Sequence, residues 1–200
     1  MNATLAQRAL PMSNAMFRDI LLAIAGSLLV AAAAQVKIPF WPVPMTMQTL
    51  AVLLVGGAYG ARLGAATLGL YLLEGAFGLP FLSSGRASIF DAKIAFLPYS
   101  SFGYLLGFIL AAWVVGRMAQ KGAMSSALNM VGATLIGAIL VYIPGLIWLS
   151  IWALISQHLT AADAMQFAYI KGMDPFIPAD ILKATIAGLG LAGLWNGFKR

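Results

Sequence analysis

An all-α integral membrane protein of six transmembrane helices is the fold class that this 200-residue sequence predicts. Three observations carry it. Hydrophobic residues make up 62% of the chain and charged residues 9%, where a soluble domain carries roughly 25% charge. The mean hydropathy is +0.91. The apolar residues also fall into long runs divided by Gly, Pro and charged positions, and roughly 20 apolar residues in a row cross a bilayer. The chain then reads as a single membrane domain over 1–200. A cytoplasmic segment, 1–18, precedes a helix bundle over 19–198, with no length left for a second folded unit.

The six helices are expected at about 19–36, 46–61, 63–78, 99–118, 126–156 and 177–198. The first follows Arg8 and Arg18. Its end, Ala31-Ala-Ala-Ala-Gln35, resembles a cleavable signal, but the polar lead before residue 19 is long for one, and the segment is read as a retained first span. The second and third helices are short and joined by the tight Gly60-Ala-Arg-Leu-Gly64 connection. The fifth is long and contains Pro144, which removes a helix hydrogen bond and is expected to kink or break it. The sixth begins near Pro178, a residue suited to the first helical position.

Basic residues orient the bundle. With the N-terminus inside, the inner ends receive Arg8, Arg18, Arg62, Arg117, Lys121, Lys199 and Arg200, against the single acid Asp19. The outer side holds Lys37, Arg86, Lys93, Lys171 and Lys183 beside five acids. The excess of Lys and Arg near inner span ends favours both termini inside, in accord with an even number of spans. The formal charge of +6 is explained by this orientation, not by nucleic acid.

Small residues recur every four positions at Ala23, Ser27, Ala31; Gly56, Gly60, Gly64; Gly103, Gly107, Ala111; and Gly193, Gly197. In lipid such rows let helix backbones approach closely. The row on the first helix is also suited to docking another membrane subunit.

The outer connections are long and unusual. Pro39, Pro42 and Pro44 are expected to hold the first one extended and stiff. Trp41 suits an interfacial anchor, and Gln48 can offer a hydrogen bond into a site. The connection from about Leu79 to Pro98 has the length of a binding loop. In it Ser83-Ser-Gly-Arg86 lets backbone approach a ligand, and Arg86 supplies a cation. Tyr104 opens the fourth helix with a ring and a hydroxyl. Trp148 and Trp152, four apart, share a helix face, fitting either an interfacial belt or an apolar wall for a flat ligand.

The densest signal is Pro175-Phe-Ile-Pro-Ala-Asp-Ile-Leu-Lys-Ala184. Asp180 and Lys183 are three apart and project from one face of an apolar helix. Ionisable groups in a span cost roughly 2.5–3.5 kcal/mol each on insertion scales and persist where they face a partner, a cavity or a ligand. Asp180 lies in the first turn, where the helix dipole favours a negative charge.

Several chemistries are excluded. There is no G-x-x-x-x-G-K-[ST] phosphate loop, no H-E-x-x-H and no Gly-x-Ser-x-Gly. Without cysteine, and with one histidine, no disulfide or zinc site is available. Catalysis has little support, and no metal or cofactor is implied.

Five segments in order resemble the BioY family, the biotin-specific substrate-binding (S) components of energy-coupling factor (ECF) transporters. They are Pro42-Val-Pro-Met-Thr-Met-Gln48, Gly78-Leu-Pro-Phe-Leu-Ser-Ser-Gly85, Gly103-Tyr-Leu-Leu-Gly-Phe108, Gly145-Leu-Ile-Trp-Leu-Ser150 and Pro175–Ala184. The resemblance implies an S-component fold, biotin bound near the outer face, and residence in a bacterial inner membrane. It also implies a transmembrane coupling protein and paired ATPases as partners. The ligand contacts it implies are Asp180, Lys183 and Arg86, and the docking face Ala23, Ser27 and Ala31. The chain departs from the family pattern at Phe102-Gly-Tyr104, at Leu105 and in a glycine-poor loop.

Biotin's chemistry suits these residues. Asp180 is expected to accept from a ureido nitrogen and Lys183 to donate to the ureido carbonyl. Arg86 is expected to pair with the carboxylate tail, and Trp148 or Tyr104 to cover the ring. Three rivals predict other outcomes. An S component for another vitamin would bind that vitamin, and an intramembrane lipid enzyme using Asp180 and Lys183 would turn over alone. An accessory subunit would tolerate apolar replacement of both charges.

Overall fold

The computed structural model describes residues 4–83, 90–91 and 97–198. Arg86 and Lys93 lie outside the described residues. The helices are α1 (Leu5–Ala9), α2 (Ala15–Gln35), α3 (Gln48–Tyr59), α4 (Ala61–Ala76), α5 (Phe102–Gln120), α6 (Ala127–Ser156), α7 (Ala161–Gly172) and α8 (Ile177–Gly197). The six expected helices are α2–α6 and α8. Four stretches of the described residues are long and apolar enough to cross a membrane: 15–35, 102–120, 127–156 and 161–197, which takes in α7 and α8 together. At 1.5 Å per residue, the twelve residues of α3 span only about 18 Å.

Two helices fall where connections were expected. At α1, the Thr4 hydroxyl oxygen accepts from the Gln7 backbone amide, and the Gln7 side-chain oxygen accepts from the Thr4 backbone amide. This reciprocal cap, T-x-x-Q, is readable in sequence. Leu5 and Ala6 are buried, and the Arg8 guanidinium sits 4.1 Å from the ring centroid of Trp195 on α8. The two ends of the chain therefore meet at one end of the bundle. At α7, Thr160 accepts from the Asp163 amide, a similar start signal. A 3-10 turn over Asp174–Phe176 leads directly into α8, so Pro178 stands second in the helix and not first.

α5 is the central helix, and glycine determines how closely its neighbours approach. A Cβ on Gly56 of α3 would meet the backbone of Ala112 at 2.7 Å, and one on Gly107 would meet the Val141 carbonyl oxygen at 2.6 Å. A Cβ on Gly116 would collide with the Gly60–Ala61 backbone. Gly60, at φ +83°, closes the α3–α4 turn in a conformation that side chains resist. Gly193 and Gly197 behave differently: both are exposed, with nothing within 4 Å of a built Cβ. Among the described residues, nothing packs against those two glycines.

Three expectations are corrected in whole or part. Of the kink or break expected at Pro144, the break is absent, since α6 is helical throughout Ala127–Ser156. The first outer connection is not extended but a hairpin, β1 (Lys37–Ile38) with β2 (Met45–Thr46), in register Lys37↔Thr46 and Ile38↔Met45. Prolines lack the amide that a longer ladder needs, so pairing stops and 39–44 form the bend. The Ser100 hydroxyl donates to the Pro42 carbonyl at 2.6 Å and ties the bend to the start of α5. In the later connection, β3 (Phe90–Asp91) pairs with β4 (Leu97–Pro98).

The third correction concerns α2. Ser27 is fully buried and Ala31 nearly so. Ser27 lies 3.1 Å from a carboxylate oxygen of Glu74 on α4, its hydroxyl donating. A Cβ on Gly26 would meet Thr67 and Tyr59. The small-residue face holds α2 against α4, so of the Ala23, Ser27, Ala31 row Ser27 and Ala31 are covered and Ala23 is half-buried. The serine faces inward because its hydroxyl needs partners that lipid does not offer.

Candidate functional site: a polar cavity at the head of the last helix

A cavity opens where the starts of α3, α5 and α8 meet the middle of α6 and the 37–46 hairpin. Asp180 and Lys183 form its charged wall. Both are buried, at 8% and 7% exposure, and Lys183 Nζ donates to Asp180 Oδ1 at 2.9 Å. The other carboxylate oxygen, Oδ2, accepts from the Tyr142 hydroxyl at 2.5 Å. A buried ion pair needs further hydrogen bonds to offset its desolvation, and Tyr142 supplies one. The opposite side of the helix, at Ile181, Leu182 and Ile186, is exposed and apolar, so the pair turns into the bundle and away from lipid.

Tyr104, on α5, lines the cavity. Its hydroxyl donates to the Gly172 carbonyl at 2.8 Å, and its ring meets Tyr142 edge-on with centroids 6.4 Å apart. Gln48, at the first turn of α3, is buried. Its Oε1 accepts from Thr46 at 3.1 Å and its Nε2 donates to Tyr71 at 2.9 Å. Tyr71 in turn donates to the Phe81 carbonyl at 3.2 Å. The polar wall of the cavity is thereby joined to Phe81, in the segment that follows α4.

The structure thus brings together four of the expected site residues, Gln48, Tyr104, Asp180 and Lys183. Trp148 is not among the cavity-lining residues and is corrected to a supporting position. Its indole donates to the Tyr99 carbonyl at 2.9 Å and its ring abuts Phe102 at 5.5 Å; Tyr99 and Phe102 line the cavity in front of it. Trp152 faces elsewhere, against Trp41 at 6.4 Å. Arg86 lies outside the described residues.

Sequence reasoning missed Tyr142, and it singled out the segments holding Ser83 and Phe176 without giving either side chain a place in the site. Tyr142 gave one signal, a hydroxyl two residues before the proline of an otherwise apolar span. Ser83 lines the cavity with a buried hydroxyl that has no partner among the described residues. Phe176, tilted against Phe40 with ring centroids 6.0 Å apart, takes its place from the 3-10 turn, which its segment did not announce. The cavity therefore offers an ammonium donor, a carboxylate acceptor and several neutral polar groups, framed by aromatic and aliphatic side chains. Such a wall suits a small, largely apolar ligand with a compact polar head.

Comparison with known proteins bears on the family and the fold. The BioY family profile matches residues 5–200. A biotin transporter BioY from Rhodobacter capsulatus is 34% identical over 176 residues, covering 84% of this chain and 88% of that protein. One from Rhizobium etli is 31% identical over 161 residues, covering 77% and 79%. The crystal structure of an S-component for biotin from an ECF-type ABC transporter superposes with a TM-score of 0.72 at 21% identity, covering 92% of this chain and 94% of that one. The fold is that of an S component, and the chain belongs to the BioY family.

Proposed function

We propose that this protein captures biotin from outside the cell and serves as the membrane-embedded substrate-binding subunit of an ECF-type transporter. The observation that carries this reading is the buried Asp180–Lys183 pair, held in a cavity inside an otherwise apolar helix. Biotin's ureido ring offers N–H donors and a carbonyl acceptor, matching a carboxylate and an ammonium side by side. Its thiophane ring suits the aromatic walls. The names of the relatives point to the same ligand. Arg86, in the connection between α4 and α5, is assigned to the carboxylate tail.

In the same reading α2–α6 and α8 are six spans with both termini on the cytoplasmic side of a bacterial inner membrane. The distribution of Lys and Arg supports this, as does the meeting of Arg8 and Trp195 at one end of the bundle. Uphill uptake draws its energy from partner ATPases through a transmembrane coupling protein. With Ser27 and Ala31 covered, the side of α2 left for that partner is Leu21, Ala25, Leu28 and Ala32, all exposed.

Calorimetry of the purified protein with biotin and a panel of other vitamins tests the reading. Saturable binding of biotin alone is expected. A stronger response to another vitamin would reassign the substrate, and no response to any would remove the capture role.

A further inference from the structure

We infer that Glu74 is carried in the membrane as a neutral carboxylic acid, and that its proton fastens α4 to α2. The inference does not depend on which ligand the cavity holds. Glu74 is the only glutamate in the chain and is not among the residues that line the cavity. It reaches from α4 to the middle of α2, where its Oε1 lies 3.1 Å from the Ser27 hydroxyl oxygen. Its other oxygen, Oε2, is buried and has no hydrogen-bond partner among the described residues. The pairs Arg18–Asp19 and Lys183–Asp180 lie elsewhere, and among the described residues no cation pairs with Glu74. Tyr71, three residues back on α4, interacts with it electrostatically, but the Tyr71 hydroxyl is engaged by Gln48 and the Phe81 carbonyl.

Counting protons decides the state. Ser27 has one hydroxyl proton, and two oxygens lie within its reach, the Ile24 carbonyl at 3.0 Å and Glu74 Oε1 at 3.1 Å. An ionised carboxylate brings no proton, so Oε1 would hold a share of one donor and Oε2 none. Asp180 shows what a carboxylate in this bundle receives when it is paired: a donor on each oxygen, one of them an ammonium. Without such partners a carboxyl group in apolar surroundings takes up a proton. The acid's own proton completes the set. Placed on Oε1 it is donated to Ser27 Oγ, and the serine proton then goes wholly to Ile24. The heavy atoms stand in the same places for either direction of the Glu74–Ser27 bond. Oε2 is left as a neutral carbonyl oxygen, a far smaller burden than an unpaired charge. Loss of the proton would set an uncompensated charge between the two helices and loosen α2 from α4.

A single glutamate allows a direct test. The protein is made by cell-free synthesis with glutamate carrying carbon-13 in its side-chain carboxyl, and its infrared spectrum in detergent at neutral pH is compared with that of unlabelled protein. The label-sensitive band is expected at the C=O stretch of a protonated carboxylic acid and should shift again in heavy water. A label-sensitive band at the carboxylate stretch overturns the proposal, and this reading needs no variant to fold. Thermal unfolding then tests the fastening. Glu74→Gln keeps a donor and an acceptor without charge, and it should unfold with the native protein. Glu74→Ala should unfold about 2–4 °C lower, the shift expected when one hydrogen bond is lost from a chain of this size. An alanine variant as stable as the native protein leaves the proton nothing to hold, and a glutamine variant no better than alanine shows that a neutral donor does not suffice; either result overturns the fastening.

Discussion

Lys183 Nζ lies 2.9 Å from Asp180 Oδ1, one helical turn away and buried with it. Removing one partner leaves the other as an uncompensated charge in a low-dielectric site, which destabilises by about 3 kcal/mol or more. Asp180→Asn and Lys183→Ala should each lower the thermal unfolding temperature in detergent and sharply weaken biotin binding. Replacing both with apolar residues of similar size should recover much of the stability and none of the affinity. Retained affinity in the double variant would instead favour a structural lock.

Gln48, Tyr71 and Phe81 form a short hydrogen-bonded line from the cavity to the loop base. Tyr71→Phe removes two of its bonds and strands the Gln48 amide, a loss of about 1–3 kcal/mol for a buried donor. Hydrogen exchange around Phe81–Ser83 should quicken, and biotin should dissociate faster. Exchange identical to the native protein would show that the line does not restrain the loop.

The glycine rows divide into two kinds with opposite expected responses. Gly116→Ala forces a methyl into the Gly60–Ala61 backbone, which cannot yield as a flexible side chain would. A marked loss of thermal stability should follow. Gly193→Ala and Gly197→Ala point into open space, and alanine is favoured over glycine in a helix by about 1 kcal/mol. Those variants should be neutral or slightly more stable by the same thermal measurement.

Ser27→Leu should damage the protein itself, because the side chain is enclosed between α2 and α4. Lower yield and a lower unfolding temperature are expected, along with any loss of uptake. Ala25→Leu, on the exposed side of α2, should leave biotin binding unchanged and reduce ATP-driven uptake by the reconstituted transporter. Normal uptake with Ala25→Leu would move the docking surface off that side of the helix.

Membrane class, the order of the main helices and the charged pair of α8 could all be read from the chain before folding. Each depends on local chemistry. Apolar run length sets a span, and a carboxylate three residues from an ammonium shares a helix face in any fold. Gly103 and Gly107 of α5 were legible for the same reason, and Gly116 was not. The capping pairs Thr4–Gln7 and Thr160–Asp163 were legible too, though short helices beside long apolar ones are easily passed over.

Tertiary packing decided the rest. Whether a small residue meets lipid or another helix depends on which side of α2 turns toward α4, and no spacing rule separates Ser27 from Ala25. Trp148 and Tyr104 both offer aromatic rings to a flat ligand, yet only Tyr104 borders the cavity, because Tyr99 and Phe102 stand in front of the tryptophan. Tyr142 joined the site through a bond across 38 positions of sequence. Periodicity along one helix describes a face; what that face meets is set by neighbours that arrive from elsewhere in the chain.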